Sequence, residues 1–245
     1  MPVAIEVKKV NKQFVLRHTR SLKETIVWLV KGRKGDLSKK FHALLDVDLE
    51  VQQGETVALL GLNGSGKSTL LKHISGVMLP DTGTVRTRGK VAGLIEVGAG
   101  FHHDLSGRDN VYLNGAILGM TEAQINEQFD SIVEFAEIGE FIDTEVRFYS
   151  SGMYLRLAFS VAVHTDPEVF LVDEILAVGD EPFQRKCLDK IKELSAAGKT
   201  LVVVSHDLEL VSRICDRGVV LQHGNVVFDG PIQAAVARLR TETSR

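Results

Sequence analysis

Cysteine, proline, tryptophan and long apolar runs are all scarce in this 245-residue sequence, which has two, five and one of the first three. Cys187 and Cys215 stand apart, with no His or Cys neighbours at metal-ligand spacing, so the pair reads as reduced thiols rather than a zinc site. The strictly apolar stretch from Ile26 to Val30 is far shorter than the ~20 residues a membrane helix requires. No signal-peptide pattern opens the chain, so the expectation is a cytoplasmic protein whose membrane work, if any, needs a partner. A net charge of only −3 argues against a general nucleic-acid binder, and no nucleic-acid partner is expected. The charge is nevertheless uneven. Residues 1–42 carry eleven Lys and Arg against three acids (+8), and the remainder carries 18 against 29 (−11).

What the sequence does have is a phosphate loop. Gly61-Leu62-Asn63-Gly64-Ser65-Gly66-Lys67-Ser68 fits the nucleoside-triphosphate pattern at every constrained position. It follows the apolar run Thr56–Leu60 and precedes a helical pattern that opens with Lys67-Ser68-Thr69 and continues through Leu70, Leu71 and Ile74. Gly61, Gly64 and Gly66, with Asn63 and Ser65 between them, let backbone N–H groups close around an anion, and the next helix points its positive end at the same place. Lys67 is expected to reach the β and γ phosphates. The hydroxyl of Ser68, followed by Thr69, is the expected ligand for Mg²⁺, a hard cation that prefers oxygen. ATP and Mg²⁺ are therefore the expected cofactors.

Around this loop the periodicity predicts an α/β fold. Alternation marks a strand from Ala4 to Val10 and another from Leu44 to Val51, with Leu45, Val47, Leu49 and Val51 on one face. Short strands follow from Thr84 to Ile95. Ser106–Phe141 reads mainly as helix, with Val111, Leu113, Ile117 and Leu118 among its apolar positions, and forms a helical insertion. From Gly152 the pattern alternates: helix to Val163, strand Val169–Val172, helix Pro182–Ala196, strand Leu201–Ser205, helix Leu208–Ile214, strand Gly218–Leu221, then a hairpin and a last helix. Between the first two strands, Leu22, Ile26 and Leu29 recur at helical spacing among Arg17, Arg20, Lys23, Lys31, Arg33 and Lys34, which predicts a short basic amphipathic helix.

Two further segments carry chemistry. Val169-Phe170-Leu171-Val172 suits a buried parallel strand and ends in Asp173-Glu174; ligands in such sheets bind beyond the strands' carboxyl ends. Asp173 is then placed to hold Mg²⁺ through water, and Glu174 to orient or activate the attacking water. Tyr149-Ser150-Ser151-Gly152-Met153 opens an amphipathic helix. Its hydroxyls are ordinary capping residues, but Ser and Gly at a helix start also offer free N–H groups to an anion. Two phosphate-binding helix ends suggest one nucleotide shared between two copies of the chain.

With these motifs in this order, the chain resembles the nucleotide-binding subunit of an ATP-binding-cassette transporter over essentially its whole length, one domain spanning 1–245. The resemblance implies a P-loop ATPase core with a mostly parallel sheet, an N-terminal antiparallel β subdomain and an inserted α-helical subdomain (102–165). It implies that Tyr149–Met153 is the family signature, usually LSGGQ, with Ser150, and with it Ser151 and Gly152, meeting the γ phosphate held by a second copy. Tyr149, Ser151 and Met153 depart from that pattern. His206, in Ser205-His206-Asp207, matches the switch histidine that positions water together with Glu174. Asp180, in Ala-Val-Gly-Asp, matches the loop crossing the dimer interface, and Phe14, after Val10-Asn11-Lys12-Gln13, the aromatic that stacks on adenine. Glu96 falls where most members have a Gln that senses Mg²⁺; a carboxylate there could ligate the metal or repel the γ phosphate.

Leu94–Phe101, Leu105–Asn110 and Tyr149–Met153 closely resemble the ATPases of bacterial polysaccharide exporters, which move O antigen, capsule, teichoic acid and related lipid-linked glycans. Cell-wall galactan is a further candidate cargo. The basic segment 15–41 resembles the extra gate helix of that group, expected near the cytoplasmic membrane face where Lys and Arg meet anionic headgroups. The resemblance implies a peripheral protein at the cytoplasmic face of the inner membrane, working with a polytopic permease in two copies. No C-terminal glycan-binding sandwich domain is expected, so recognition would rest on the permease or the lipid-linked carrier. The competing readings are a soluble cassette of translation or chromosome maintenance, which lacks support because neither a second cassette nor a long coiled coil is present, and an importer, which would favour Gln at position 96 and no basic insertion.

Overall fold

The first sheet grows from two strands that run far past their alternating patterns. In the computed structural model, which describes residues 2–17, 38–93, 100–173 and 180–243 (at 16, 17, 38, 39, 242 and 243 the backbone alone), β1 (Val3–Arg17) and β2 (Ser38–Gln52) pair antiparallel from Val3 opposite Gln52 to Arg17 opposite Ser38. β3 (Thr56–Leu60) belongs to the other sheet, and β4 (Thr82–Thr87) adds to the free edge of β1, giving the order β2-β1-β4. Beyond Asn11, where β4 stops pairing, β1 and β2 continue as a two-stranded ribbon in which Phe14 lies opposite Phe41. The predicted basic helix falls between the ribbon's ends and lies outside the described residues.

A bulge corrects one expectation. Val47, Leu49 and Val51 are buried on one face as the alternation requires, but Leu44, not Leu45, completes the row at 0% exposure, while Leu45 is only partly buried. Pairing advances three residues from Val47 to Leu44 while β1 advances two, from Val10 to Lys12. Asp46 takes the extra step with φ 47°, a conformation Asp tolerates, and its N–H donates to Asn11 Oδ1 at 2.9 Å. A one-residue slip moves every later side chain to the other face, so pattern alone picks the wrong leucine.

The second sheet contains β5 (Val91–Gly93), β6 (Val169–Asp173), β7 (Thr200–Val204), β8 (Arg217–Gln222) and β9 (Asn225–Pro231) in the order β5-β6-β7-β3-β8-β9, parallel except for β9. Both faces are buried, which explains why its strands read as continuous apolar runs. On one face Leu60, Phe170, Val172, Leu201, Val203 and Val220 pack with Phe159, Phe183, Ile191 and Ala235 from helices. On the other, Val57, Leu59, Leu171, Val202 and Val219 meet Leu70, Leu71 and Ile74 of α1 (Lys67–Ile74) and the inner face of the antiparallel sheet. Helix α1 thus lies in the layer between the two sheets. The α/β class, the mostly parallel sheet and the N-terminal antiparallel sheet expected from the sequence are all present.

A third apolar cluster belongs to the helical insertion: α2 (Gly107–Ile117), α3 (Glu122–Ala136) and α4 (Ser151–Val163). Val111 is its anchor in α2, whereas Leu113 and Ile117, expected with it on the apolar face, are 36% and 58% exposed. Helix α4 serves two cores at once, sending Leu157, Ala158 and Val161 into the insertion and Phe159, Ala162 and Val163 against the sheet. The remaining helices are α5 (Glu181–Ala196), α6 (Leu208–Ile214) and α7 (Ile232–Thr243). Among the described residues no helix is long and apolar enough to cross a membrane.

The bulge gives a direct stability test. Leu44→Ala removes a fully buried side chain and is expected to cost about 2–5 kcal/mol in urea unfolding, and Leu45→Ala distinctly less; the reverse ranking would restore simple alternation.

Candidate functional site

Three neighbouring parallel strands end on one edge. β3 runs into Gly61, β7 runs through Ser205 into His206, and β6 ends at Asp173, which pairs with Val204 of β7. In an open parallel sheet this edge is where ligands collect. Asp173 is half-buried there and His206 exposed. Ser205 Oγ accepts from Asp207 N–H, and Asp207 caps α6 by accepting from the N–H groups of Glu209 and Leu210, all at 3.0 Å, so a capped turn holds His206 at the strand end.

The loop from Gly61 to Ser68 is held so tightly that two of its glycines admit no side chain. A Cβ on Gly61 (φ 148°) would lie 2.4 Å from Leu221 O, and one on Gly66 (φ 110°) 2.5 Å from Ala43 O. Gly224 N–H donates to Ser65 O at 3.0 Å, tying the loop to the β8–β9 turn. Gly66 is the N-cap of α1, so the helix opens directly into the loop. Lys67, 7% exposed, donates from Nζ to Gly61 O at 2.7 Å and to Leu62 O at 3.3 Å, which fixes its ammonium inside the curl of backbone. A cavity of about 320 Å³ opens here, walled by Asn63–Thr69 on one side and by Phe41 and Ala43 of β2 on the other.

These residues fit a nucleoside triphosphate. The buried Ser65 Oγ has no hydrogen-bond partner among the described residues, and Gly64 has nothing within 4 Å of a would-be Cβ, so donors and space converge on the cavity. A metal would need Ser68, Asp173 and phosphate oxygens together, because among the described residues no three His, Cys, Asp or Glu cluster to hold one. Phe14, the ring expected to stack on adenine, does not wall this cavity; Phe41, which sequence reasoning missed, does. The only signal for Phe41 is its register opposite Phe14, visible once the strands are paired.

The segment Tyr149–Met153 forms a second helix start. Ser150 (φ −65°, ψ 159°) is the N-cap of α4, its Oγ accepting from Met153 N–H at 3.2 Å, and Ser150 and Ser151 are exposed. Tyr149 anchors the turn: its Oη donates to Phe141 O at 2.8 Å, and burial, helped by nearby Asp143, pushes its pKa up to about 12. A Cβ on Gly107 would stand 2.0 Å from that Oη, so α2 starts with Gly to admit the ring. The preceding loop is laced to the same place. Leu105 O and His103 O accept from Val146 and Arg147 N–H at 2.9 Å, while the fully buried Asn110 donates to the carbonyls of His102, Leu105 and Ser106 and accepts from His102 N–H.

Asp180 caps α5, accepting from Phe183 N–H at 3.3 Å, and also pairs with Arg156 of α4 at 2.6 Å. Burial opposes its charge, but the Phe183 amide and the Arg156 guanidinium outweigh it and hold Asp180 below the usual carboxylate range. Arg156 also reaches Glu137 Oε2 at 2.8 Å and lies over the Phe183 ring at 4.8 Å. Asp180 is thereby tied to the same helix that Ser150 begins. Glu174 and Glu96 lie outside the described residues.

The sequence profile of the family described as ABC transporter matches residues 44–177. The chain is 44% identical over 98% of its length to the O-antigen export system ATP-binding protein RfbB of Myxococcus xanthus, of which it spans 56%. It is 42% identical over 94% of its length to the teichoic acids export ATP-binding protein TagH of Listeria monocytogenes serotype 4b, of which it spans 68%. Its fold superposes on an ATP-binding subunit of an ABC transporter with a TM-score of 0.77 at 23% identity, covering 99% of this chain and all of that one.

The clamped glycines generate the prediction for this site. Gly61→Ala, which drives a Cβ into backbone, is expected to lower the melting temperature by several degrees and abolish nucleotide binding, whereas Gly64→Ala, with open space around it, meets only the left-handed backbone cost of roughly 1–2 kcal/mol. Equal melting temperatures would contradict the clamp.

Proposed function

The chain belongs to the ABC transporter family, and on that premise we propose that it is the ATP-hydrolysing subunit of an exporter that moves a lipid-linked polysaccharide across the cytoplasmic membrane. The observation that carries this reading is its similarity, over nearly the whole chain, to ATP-binding proteins of O-antigen and teichoic acid export systems. One named system exports O antigen and the other teichoic acids, and a glycan of that class is the cargo proposed here. A cassette for translation, for chromosome maintenance or for import has no such support.

In this reading the backbone N–H groups of Asn63 to Lys67 and the Lys67 ammonium bind the phosphates of ATP. Mg²⁺, held by Ser68 and through water by Asp173, would neutralise charge on the β and γ phosphates. Glu174 takes the proton of the attacking water, and His206 orients that water and the γ phosphate from the end of β7. Water attacks phosphorus, the bond to the bridging oxygen of ADP breaks, and phosphate leaves. Most of the barrier reduction comes from positioning and charge stabilisation, which a rigid backbone cradle supplies.

The helix start at Ser150 completes the site from a second copy of the chain. Gly152 supports this. Alanine is the better helix former, yet the nearest atom to a would-be Cβ there is Ser150 Oγ at 3.8 Å, so nothing among the described residues requires glycine. Space left open at the start of α4 suits an anion arriving from outside. Leu113 and Ile117, exposed on α2 beside the laced loop 102–106, offer an apolar surface to the permease, and the basic segment between β1 and β2 is assigned to the membrane face.

Glu174→Gln is expected to bind ATP with undiminished affinity, to lower hydrolysis at least a hundredfold and to accumulate as an ATP-bound dimer on size-exclusion chromatography; Lys67→Ala is expected to bind ATP poorly and remain monomeric. Normal turnover by either variant would remove its assigned role. Co-purification with a polytopic permease whose loss stops surface glycan display tests the cargo class, and unaltered display without this chain would refute it.

A further inference from the structure

Four charged side chains close into a ring where the helical insertion meets the helices of the parallel sheet. Lys186 Nζ donates to Glu137 Oε1 at 3.1 Å, Arg156 Nη1 donates to Glu137 Oε2 at 2.8 Å, and Arg156 Nη2 donates to Asp180 Oδ1 at 2.6 Å. Asp180 and Lys186 both belong to α5, so the contacts leave that helix at its N-cap and return to it less than two turns later. Between those points they pass through Glu137, the C-cap of α3, and Arg156 of α4. Phe135 of α3, Phe159 of α4 and Phe183 of α5 pack together beneath the ring, with centroids 6.0, 5.8 and 6.1 Å apart. The two cations lie over this cluster, Arg156 on Phe183 and Lys186 on Phe135, each at 4.8 Å.

By local rules Glu137 is the wrong residue for its place. It has φ 56° and ψ 41°, the left-handed conformation that glycine adopts freely, and its carboxylate stands at the negative end of the helix dipole. The helix end does not need that carboxylate, because Lys186 Nζ already donates to Phe135 O at 3.0 Å and Glu134 O at 3.4 Å. Stability does not explain it either, since the Glu137 side chain is 50% exposed and such ion pairs contribute little. What only a carboxylate provides here is a bridge from Lys186 to Arg156, and both cations hold the Glu137 carboxyl below its usual range, Lys186 most strongly. We propose, on the reading that a second copy completes the ATP site, that Glu137 is a positioning residue for that site, acting through Arg156 on Asp180. One edge of the guanidinium meets Glu137 and the other Asp180; with Glu137 gone, Arg156 can turn over the Phe183 ring and Asp180 loses its fixed partner. Asp180 stands six residues after Glu174 in the chain and starts α5, so its placement bears on both the proposed base and the face offered to a second copy.

The test separates positioning from folding. In Glu137→Gly the left-handed backbone is relieved, so the melting temperature of the full chain is expected to stay level or rise by about 2 °C. ATP affinity measured by calorimetry is expected to be unchanged, while kcat for ATP hydrolysis falls about tenfold. Glu137→Gln keeps an oxygen for Arg156 without the charge and is expected to retain more of the turnover. In a Glu174→Gln background, Glu137→Gly is expected to weaken the ATP-bound dimer on size-exclusion chromatography without weakening ATP binding. Arg156→Lys cannot span two carboxylates, and adding Glu137→Gly to it is expected to cost little further turnover, because the two residues act in series. Full turnover in Glu137→Gly, a melting temperature that falls in step with activity, or losses that multiply in the double variant would each overturn the proposal and leave the ATPase assignment standing. An unaltered chain that turns over ATP as a strict monomer would remove the two-copy reading and this proposal with it.

Discussion

Three backbone approaches too close for a side chain hold the phosphate loop, and the two sheets meet through them. A Cβ would stand 2.4 Å from Leu221 O at Gly61, 2.5 Å from Ala43 O at Gly66 and 2.9 Å from Ala43 O at Gly224. Leu221 lies next to the end of β8 of the parallel sheet, Ala43 lies in β2 of the antiparallel one, and Gly224 forms the turn between β8 and β9. Leu45 N–H donates to Gly224 O and Gly224 N–H to Ser65 O, so the turn bridges β2 and the loop. Moving either sheet by the width of a methyl group would therefore displace Lys67 and the start of α1. The stiffness is useful, because a cradle that stabilises a developing charge must not reorganise as the charge appears.

The other half of the proposed machinery is built with a different economy. Helix α4 is buried on two sides, and the turn before it is fixed by Tyr149 and by the hydrogen bonds that run from His103 and Leu105 to Val146 and Arg147. Asn110 holds the loop 102–106 with four hydrogen bonds from a fully buried amide, a network costly to leave half-made. A push on that loop should reach Ser150 as movement of a connected body rather than as local bending. Arg156 extends the body to Asp180 and Glu137, although both carboxylates are more than half exposed or nearly so, and each pair individually adds little to stability. The significance of those pairs is orientation.

The parts of this protein legible in its sequence are those in which one short segment contains all the information. The loop from Gly61 to Ser68 declares itself by spacing, the strand ending in Asp173 by its apolar run, and helix α6 by boundaries that match the periodicity at both ends. What escaped needed pairing between distant segments. The bulge at Asp46 shifts burial from Leu45 to Leu44, and nothing near Asp46 in the sequence announces it. Leu113 and Ile117 fit a helical apolar face and are exposed, because α2 is covered on the side of Val111 only. Phe41 gains its position from the ribbon register and Tyr149 from a hydrogen bond to Phe141 O, both contacts of the fold rather than of a motif. Sequence reasoning also treated Asp180 as an interface residue alone, whereas it caps α5 and pairs with Arg156 within its own chain.

The central claim is that the phosphate loop is half of a site that a second copy completes with Ser150. Subunit mixing tests it most directly. Lys67→Ala disables a loop and Ser150→Arg disables a helix start, and each variant alone should hydrolyse no ATP. In a hybrid of the two, both lesions fall in the same composite site, leaving the other with an intact Lys67 and an intact Ser150. The account predicts that ATP hydrolysis, measured by phosphate release, reappears when the two inactive proteins are mixed and allowed to exchange subunits. A mixture that stays as inactive as its components, in verified hybrids, would contradict it.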